Sequence, residues 1–411
     1  MSAAGPCCRL CGARLVRPVV DLGPIPLANA FIPAEGLNDA ETFYPLRAWI
    51  CDACFLVQAP TAVRPADLFS HYLYFSSVSQ SWLRHAEAYA AMAMARFDID
   101  TGKKVVEIAS NDGYLLQFFV ERGIPALGVE PAANVAEVAV ARGIPTHVAF
   151  FGAETARRLV ESGHAADLVP ANNVLAHVPD PVDFLTGVRL LLKPEGVATF
   201  EFPHLLPTIV ETQFDQICLE HASYLSFAVV RQALRQCGLR AFDVEALPTH
   251  GGSLRVFACH DVAAHEETPA VEAMIRQEDE AGLRSSATYD AFRARVTSIK
   301  YDTLEFLIRA SRENKLVCGY GAAGKGTTFV NYCGFGPDLV RAIADRNPRK
   351  QNTWLPGRHI PVVSPEAMLE MKPDYVLILP WNLREEIARE LEAIRRWGGK
   401  FVTAIPELTV F

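Results

Sequence analysis

From Val105 onward the chain alternates short apolar runs with helical stretches, and this alternation restricts its fold more than any other feature. The runs are Val105–Ala109, Ala126–Glu130, His147–Phe151, Leu168–Val174, Val197–Phe202, Ala241–Leu247 and Leu254–Cys259. Between them, Tyr114–Arg122, Asn134–Arg142, Ala153–Glu161, Pro181–Leu192 and Phe227–Cys237 carry helical spacing. Strands separated by helices pair in parallel and are covered on both faces. A second series starts at Leu316–Tyr320 and continues through Leu339–Ala344, Ile360–Val363, Tyr375–Leu379 and Phe401–Ile405. The stretch between the two series, Thr268–Asn314, has no proline after Pro269 and reads as one or two long helices. Ahead of the first series, Trp82–Met94 reads as a helix. Residues 1–65, with several prolines and little periodicity, look like a small metal-organised module. The predicted class is therefore α/β, in three parts: a small N-terminal module over 1–68, a Rossmann-like domain over 69–262, and a second Rossmann-like α/β domain over 263–411.

At 411 residues a multidomain chain is the expectation. Half of the residues are apolar and 21% are charged, an ordinary globular composition. A net charge of −8 with both signs interspersed argues against a nucleic-acid binder that works by neutralising phosphates. No uncharged apolar run reaches the roughly 18 residues that a membrane span needs, and the first residues lack the basic-then-apolar pattern of a secretory signal. Five of the ten cysteines fall within the first 54 positions. That is no disulfide framework for a chain of this length. It points to a metal site in a reducing cytoplasm.

Cys8-x-x-Cys11 and Cys51-x-x-Cys54 are two knuckles separated by residues 12–50. Four thiolates close a tetrahedral zinc shell, and a closed shell leaves no position for water. The predicted zinc is structural. Cys7 is a spare thiol, since a two-residue knuckle requires Cys8.

Val105–Ile108 runs into Ala109-Ser110-Asn111-Asp112-Gly113, a strand, then a turn, then a helix. A ligand at the carboxyl end of that strand lies against a helix N-terminus. An acidic residue in such a turn repels phosphate but pairs with an ammonium. One strand later Glu130 ends its run, where a carboxylate can accept both hydroxyls of a ribose. This pattern favours S-adenosylmethionine over a dinucleotide. The glycine-rich loop E-x-G-x-G-x-G is reduced to Gly113, with Ala109 and Asn111 in the places of glycines.

Several motifs together resemble the sugar C-methyltransferase family. They are the cysteine quartet, Tyr72-Leu73-Tyr74-Phe75-Ser76-Ser77, Glu107-Ile108-Ala109-Ser110-Asn111-Asp112-Gly113, Asn172-Asn173-Val174-Leu175-Ala176-His177-Val178-Pro179-Asp180, Glu220-His221-Ala222-Ser223-Tyr224-Leu225-Ser226, and Gly319-Tyr320-Gly321-Ala322-Ala323-Gly324-Lys325-Gly326. They occur in the family's order along the whole chain. The resemblance implies a zinc-binding N-terminal domain, an S-adenosylmethionine-binding domain and a C-terminal domain for the nucleotide sugar. Its implied substrate is a thymidine-diphosphate 4-keto-deoxysugar, methylated next to the ketone through an enolate. Glu107, Ser110, Asn111, Asp112, Gly113, Glu130, Pro131 and Asn173 are the expected cofactor residues. The expected partner is the nucleotide-sugar substrate, with no nucleic acid or membrane, and the expected state is a cytoplasmic monomer or weak homodimer.

Carbon methylation needs a base near neutral pKa and a donor for the developing oxyanion. By position His221 resembles the family's base and Glu220 its acidic partner, while His177 and Tyr72 match residues lining the reacting sugar. Tyr74, Ser76, Tyr224 and His250 are expected to line the same site. In an extended segment Glu220 and His221 would point to opposite faces, so that only one of them reaches the sugar. The family usually has Tyr-His-Glu-His where this chain has Cys218-Leu219-Glu220-His221. Cys218 thus stands in place of a tyrosine that could relay a proton.

Leu316–Gly324 is a strand running into G-x-G-x-x-G, with Asp345 ending the next apolar run, a dinucleotide-type pattern. An NAD-dependent sugar oxidoreductase or epimerase is the rival enzyme, and a non-catalytic sugar-nucleotide-binding protein is the rival from another class. Neither accounts for the quartet together with the first α/β series. The loop reads as a diphosphate cradle of backbone N–H groups around Tyr320 and Gly321, with Lys325 and Lys350 supplying charge.

Overall fold

Val105, Val106, Glu107 and Ile108 are all buried, which only a strand covered on both faces and flanked on both edges allows. In the computed structural model, which describes residues 5–70 and 75–411, this strand lies inside a seven-stranded sheet. The chain forms two compact units. One comprises residues up to Leu15, Cys51–His204 and Ala222–Ala281, and the other Val16–Ile50, Leu205–His221 and Gly282–Phe411. The two knuckles therefore stay together in the first unit, while the segment between them belongs to the second. That segment is an antiparallel hairpin of β1 (Arg17–Pro26) and β2 (Phe43–Ile50).

The first unit holds β3 (Val57–Gln58), α1 (Pro65–Phe69), α2 (Gln80–Phe97), β4 (Val105–Ile108), α3 (Gln117–Val120), β5 (Ala126–Glu130), α4 (Ala133–Ala141), β6 (Thr146–Val148), α5 (Ala153–Glu161), β7 (Ala166–Asn172), α6 (Pro181–Leu191) and β8 (Leu192–Pro203). After α7 (Leu205–Val210), which belongs to the second unit, it resumes with β9 (Ser223–Tyr224), α8 (Phe227–Gln236), β10 (Leu239–Leu247), β11 (Ser253–His260) and α9 (Pro269–Glu280). The sheet order is β10-β11-β8-β7-β4-β5-β6. Strands β8, β7, β4, β5 and β6 are parallel, and β11 is antiparallel to both of its neighbours. The order reverses between β4 and β7, and a sheet of this kind opens its ligand crevice at the carboxyl ends beside such a reversal. Helix α2 buries Ala86, Tyr89, Ala90 and Ala93, one helical stripe. They join Leu115, Phe119, Ile144, Leu168 and Phe257 in one core.

Two elements are shorter than predicted. The helix predicted from Tyr114 is regular only over Gln117–Val120, because the chain leaves Gly113 in a left-handed conformation and first makes a turn. The strand predicted over His147–Phe151 pairs only over Thr146–Val148, as a sheet edge with a neighbour on one side.

In the second unit α10 (Ser286–Arg312) buries Tyr289, Phe292, Val296, Ile299, Thr303, Phe306, Leu307 and Ala310, a stripe at three- and four-residue spacing. The long helical stretch predicted there breaks once, at Gly282, whose φ of +73° suits glycine alone. Then follow β12 (Val317–Tyr320), α11 (Gly324–Cys333), β13 (Ile343–Ala344), β14 (Thr353–Trp354), β15 (Pro361–Val363), α12 (Pro365–Glu370), β16 (Tyr375–Ile378), α13 (Arg384–Glu390), β17 (Lys400–Thr403) and β18 (Thr409–Val410). The sheet order is β14-β15-β13-β12-β16-β17-β18. It reverses between β12 and β16, which puts the glycine loop after β12 at the switch point. Among the described residues no helix is long and apolar enough to cross a membrane.

Candidate functional site

The two knuckles share one backbone plan. The amide of Cys8 donates to Ala13 O (2.7 Å) and that of Gly12 to Cys8 O (2.9 Å). In the second knuckle Cys51 donates to Leu56 O (3.0 Å) and Phe55 to Cys51 O (2.9 Å). The residue after each second cysteine is left-handed, Gly12 at φ +75° and Phe55 at +63°. Both loops thereby aim two thiols the same way. All four sulfurs lie within 4.8 Å of one another, with Cys8–Cys54 and Cys11–Cys51 at 3.5 Å. A tetrahedral shell with Zn–S bonds of about 2.3 Å has edges of about 3.8 Å, so the quartet fits zinc. Gln58, itself buried, donates to the Cys8 sulfur at 3.2 Å.

At the carboxyl end of β4 the turn keeps the shape of a glycine-rich loop without the glycines. Ala109 has φ +56°, Asn111 +49° and Gly113 +78°. Asparagine tolerates this region, and alanine holds it at a cost of about 1 kcal/mol. Gly113 has no such latitude, since a Cβ there would lie 2.3 Å from Ile144 Cδ1.

Three acids surround the turn, and the structure separates their duties. Both oxygens of Glu130 accept backbone amides, Asn111 N and Ala132 N at 2.9 Å each, the second donor lying just beyond Pro131. Asp112 is taken up by Ser77 and by Arg142 Nη1 at 3.3 Å. Glu107 is fully buried, and neither of its oxygens has a hydrogen-bond partner among the described residues. Burial pushes its carboxyl well above the usual range, and Glu130 and Asp112 push it the same way. The Oγ of Ser110 and the Oδ1 atoms of Asn172 and Asn173 are likewise buried without partners. Unmet acceptors around an acid of this kind suit a cationic, hydroxyl-bearing ligand. These residues fit S-adenosylmethionine.

Other predicted residues of the first unit are positioned nearby in the chain. Ser76 donates its amide to Asn111 Oδ1 at 2.9 Å. His177 ends a short 3₁₀ turn, Leu175–His177, and meets the Phe69 ring edge-on at 5.4 Å. His250, left-handed at φ +56°, lies 5.3 Å from the Trp82 ring. Tyr224 is buried on β9. Tyr72 and Tyr74 lie outside the described residues.

In the second unit Leu219 and Glu220 form a turn closed by His221 N to Cys218 O at 3.2 Å. The extended segment predicted here is absent, so alternation of faces cannot decide between Glu220 and His221. Hydrogen bonding separates them instead. His221 Nδ1 lies 2.9 Å from Gln216 O. A carbonyl only accepts, so Nδ1 carries the proton and Nε2 is the basic nitrogen. Burial lowers the pKa of the ring, with Gln216 and Glu220 pulling the other way. Glu220 accepts from Asn29 Nδ2 at 2.9 Å. Burial raises its carboxyl above the ordinary range, against the pull of His221. The Cys218 thiol is pushed up to about 12 by burial and by Glu220, so it stays protonated at neutral pH.

The loop after β12 is close-packed. A Cβ on Gly321 would lie 2.5 Å from Pro380 Cδ. Lys325 donates to Asn382 Oδ1 and lies 4.8 Å over the Trp381 ring. Lys350 donates to Ala322 O at 2.7 Å, with Asp345 Oδ2 3.6 Å away. Tyr320 does not join the loop; its hydroxyl donates to Glu390 at 3.1 Å. Asp215 is the residue that sequence reasoning missed. It is buried, accepts Trp381 Nε1 at 2.9 Å, and has its carboxyl pushed up to about 6 by burial despite Lys325. No spacing in the sequence links residues 215, 325 and 381.

Three family models match successive stretches of the chain. Residues 8–69 match a zinc binding domain, 82–243 a methyltransferase domain, and 248–406 the C-methyltransferase C-terminal domain. A ubiquinone biosynthesis O-methyltransferase of Haemophilus ducreyi is 28% identical over 23% of this chain and 43% of its own. Among solved structures, the PH0226 protein of Pyrococcus horikoshii aligns over 48% of this chain and 97% of its own, at 16% identity and a TM-score of 0.38. The C-methyltransferase NovU of Streptomyces niveus is 36% identical over 97% of this chain and 95% of its own length. A likeness of that extent to a C-methyltransferase decides against the dinucleotide-dependent reading. The chain belongs to the C-methyltransferase family, with S-adenosylmethionine as its methyl donor and zinc in its thiolate shell.

Proposed function

We infer that the methyl acceptor is a nucleotide-linked 4-keto-deoxysugar, with thymidine diphosphate as its nucleotide, and that His221 removes the proton next to the ketone. The observation that carries this reading is the tautomer of His221. Its Nδ1 lies 2.9 Å from Gln216 O, which can only accept, and burial lowers the pKa of the ring. Nε2 is thus a base ready to take a carbon-bound proton. The electron pair of the broken C–H bond becomes the C=C bond of the enolate and displaces the carbonyl π pair onto the ketone oxygen; the methyl gained at that carbon would leave the donor sulfur as a neutral thioether. Bound S-adenosylmethionine supplies an electrophilic methyl.

Around the donor, Glu130 is assigned to the ribose hydroxyls and Glu107, the acid without partners, to the ammonium of the methionine moiety. Asn173, Ser110 and the backbone of the 109–113 turn complete the cradle. Glu220 beside His221 stabilises the imidazolium that forms. His177 polarises the ketone, and Tyr72 belongs with it. The diphosphate is assigned to the N–H groups of the Gly321 loop, with the charges of Lys325 and Lys350. A Cys218 thiol near pKa 12 offers no second base. The cytoplasm, where nucleotide sugars are made, is the matching compartment.

The test is mass spectrometry of products from a panel of nucleotide 4-keto sugars, each with S-adenosylmethionine. A mass gain of one methyl on a carbon next to the ketone supports the reading. Methylation only of substrates lacking a ketone overturns it.

A further inference from the structure

Four thiolates close the zinc shell, yet the surroundings of that shell extend well beyond the knuckles. We propose that Arg9 is a positioning residue for methyl transfer, coupling the geometry of the zinc knuckle to the turn that carries His177. The role of His177 rests on the reading above; the placement of Arg9 does not.

Arg9 stands between Cys8 and Cys11, so the metal fixes its backbone. Its amide donates to Gln58 Oε1 at 3.0 Å, and the same Gln58 donates to Cys8 Sγ at 3.2 Å. From that anchored base the guanidinium spans two segments. Nη2 donates to Ala59 O, and Nη1 donates to Pro179 O at 3.1 Å. Pro179 lies two residues beyond His177. The planar guanidinium holds both carbonyls in a fixed relation, which the single charged point of a lysine cannot do.

Two further ties converge on the same turn. Phe69, at the end of the segment that begins with Cys51–Cys54, packs edge-on against the His177 ring. Val57–Gln58 pairs antiparallel with Ser223–Tyr224. Ala59 N donates to Ala222 O at 3.1 Å, and Ala222 N to Ala176 O at 2.8 Å. Within the turn itself, His177 N reaches Val174 O at 2.9 Å, and Val178 N reaches Leu175 O only at 3.4 Å. These ties reach the turn from outside it, and Arg9 supplies a charged hydrogen bond among them.

The experiment compares Arg9→Ala and Arg9→Lys with the wild-type holoprotein. Hydrogen exchange is followed by mass spectrometry over 172–180 and over both knuckles. Zinc content, S-adenosylmethionine affinity and steady-state kinetics are measured on the same samples. Arg9→Ala should keep one zinc and bind the donor with wild-type affinity. Exchange over 172–180 should rise about tenfold or more, as expected for loss of one charged hydrogen bond. In turnover kcat should fall by roughly 10–100-fold with KM little changed, the cost of a misplaced site. Arg9→Lys should fall between, and added guanidinium should restore part of the Arg9→Ala rate. Loss of zinc with faster exchange at the knuckles would overturn the proposal, making Arg9 a support of the metal site alone. Unchanged exchange over 172–180, in either variant, would overturn it as well. A wild-type protein that turns over no nucleotide sugar would refute the substrate reading, and the exchange measurement would still decide the role of Arg9.

Discussion

Glu130→Ala separates the backbone bracing that Glu130 provides in the structure from the ribose contact proposed for the same carboxylate. In the folded protein its oxygens accept the amides of Asn111 and Ala132 at 2.9 Å each, and the side chain is 5% exposed. Removing it leaves two buried N–H groups unmet, at about 1–3 kcal/mol each, so the first unit should lose about 2–6 kcal/mol of stability. A carboxylate that also holds the ribose hydroxyls adds a binding loss of about 1.5–3 kcal/mol, the range for hydrogen bonds to a charged group. That is roughly a 10- to 150-fold weaker Kd for S-adenosylmethionine. Glu130→Gln keeps the size of the side chain and one acceptor oxygen, so it should lose less stability than alanine while still binding more weakly than wild type. Calorimetric titration, run well below the unfolding temperature of each variant, measures the affinity apart from the stability. An alanine variant that melts early yet binds with wild-type affinity would refute the ribose assignment and leave Glu130 as a brace for the turn. One that neither melts early nor binds weakly would refute the hydrogen-bond reasoning itself.

One zinc per chain should be found by elemental analysis, and Cys51→Ala should release it; freshly prepared protein without zinc would refute the quartet. His221→Asn should lose a factor of roughly 10²–10⁴ in turnover. It should also stop solvent-deuterium exchange next to the ketone in the absence of donor, and exchange at the wild-type rate would assign the base elsewhere. Because burial lowers the pKa of His221, its basic form persists to lower pH. The acid limb of kcat/KM, where protonation removes the base, should therefore lie below the ordinary imidazole value of about 6.5; a limb above it would contradict the assignment. Cys218→Ser should remain active, since a thiol at about 12 does no acid–base work near neutrality, and an inactive serine variant would give the sulfur a role.

The strands were legible because their residues meet only one kind of environment. Val105–Ile108 is apolar except for Glu107, and a run of that kind fits only a covered strand. The turn after it was readable as a site but not as a shape. Ala109 and Asn111 hide the left-handed backbone that glycines would announce, and only the φ values of the structure reveal it. The knuckles marked four ligands, yet two CxxC pairs constrain sulfur atoms and nothing between them. The path of Val16–Ile50 into the other unit was therefore not in the pattern. The turn at Leu219-Glu220 was missed for a related reason: one hydrogen bond, His221 N to Cys218 O, overrides the strand-like alternation assumed for the segment. Asp215 was invisible because its partner, Trp381, is 166 residues away, and a buried carboxylate leaves no local signature.

The route of the chain also bears on how the activity can be divided. The second unit is stitched from three segments, and each is bonded to the part after Gly282. Arg293 Nη2 donates to Pro18 O at 2.6 Å in the N-terminal hairpin. Arg295 donates to Thr212 Oγ1 at 2.9 Å and Ile209 O at 2.7 Å, and Trp381 to Asp215. Residues 205–221, which end in Glu220 and His221, thus take partners from α10 and from the loop after β16, besides the bond of Glu220 to Asn29. Ala222, the next residue, already belongs to the first unit and is bonded to Ala176 there. A cut at Ala281 would remove the helix and loop that hold Leu205–His221 while leaving that segment attached to the methyltransferase sheet. The exposed carbonyls and the buried Asp215 would then have lost their donors, at about 1–3 kcal/mol apiece. His221 would keep its nearest acceptor, Gln216 O, but not the frame that fixes Gln216. The C-terminal part thus supports the segment that carries the proposed base, and a chain cut at Ala281 should lose methyl transfer; turnover by the cut chain at the wild-type rate would refute this reasoning.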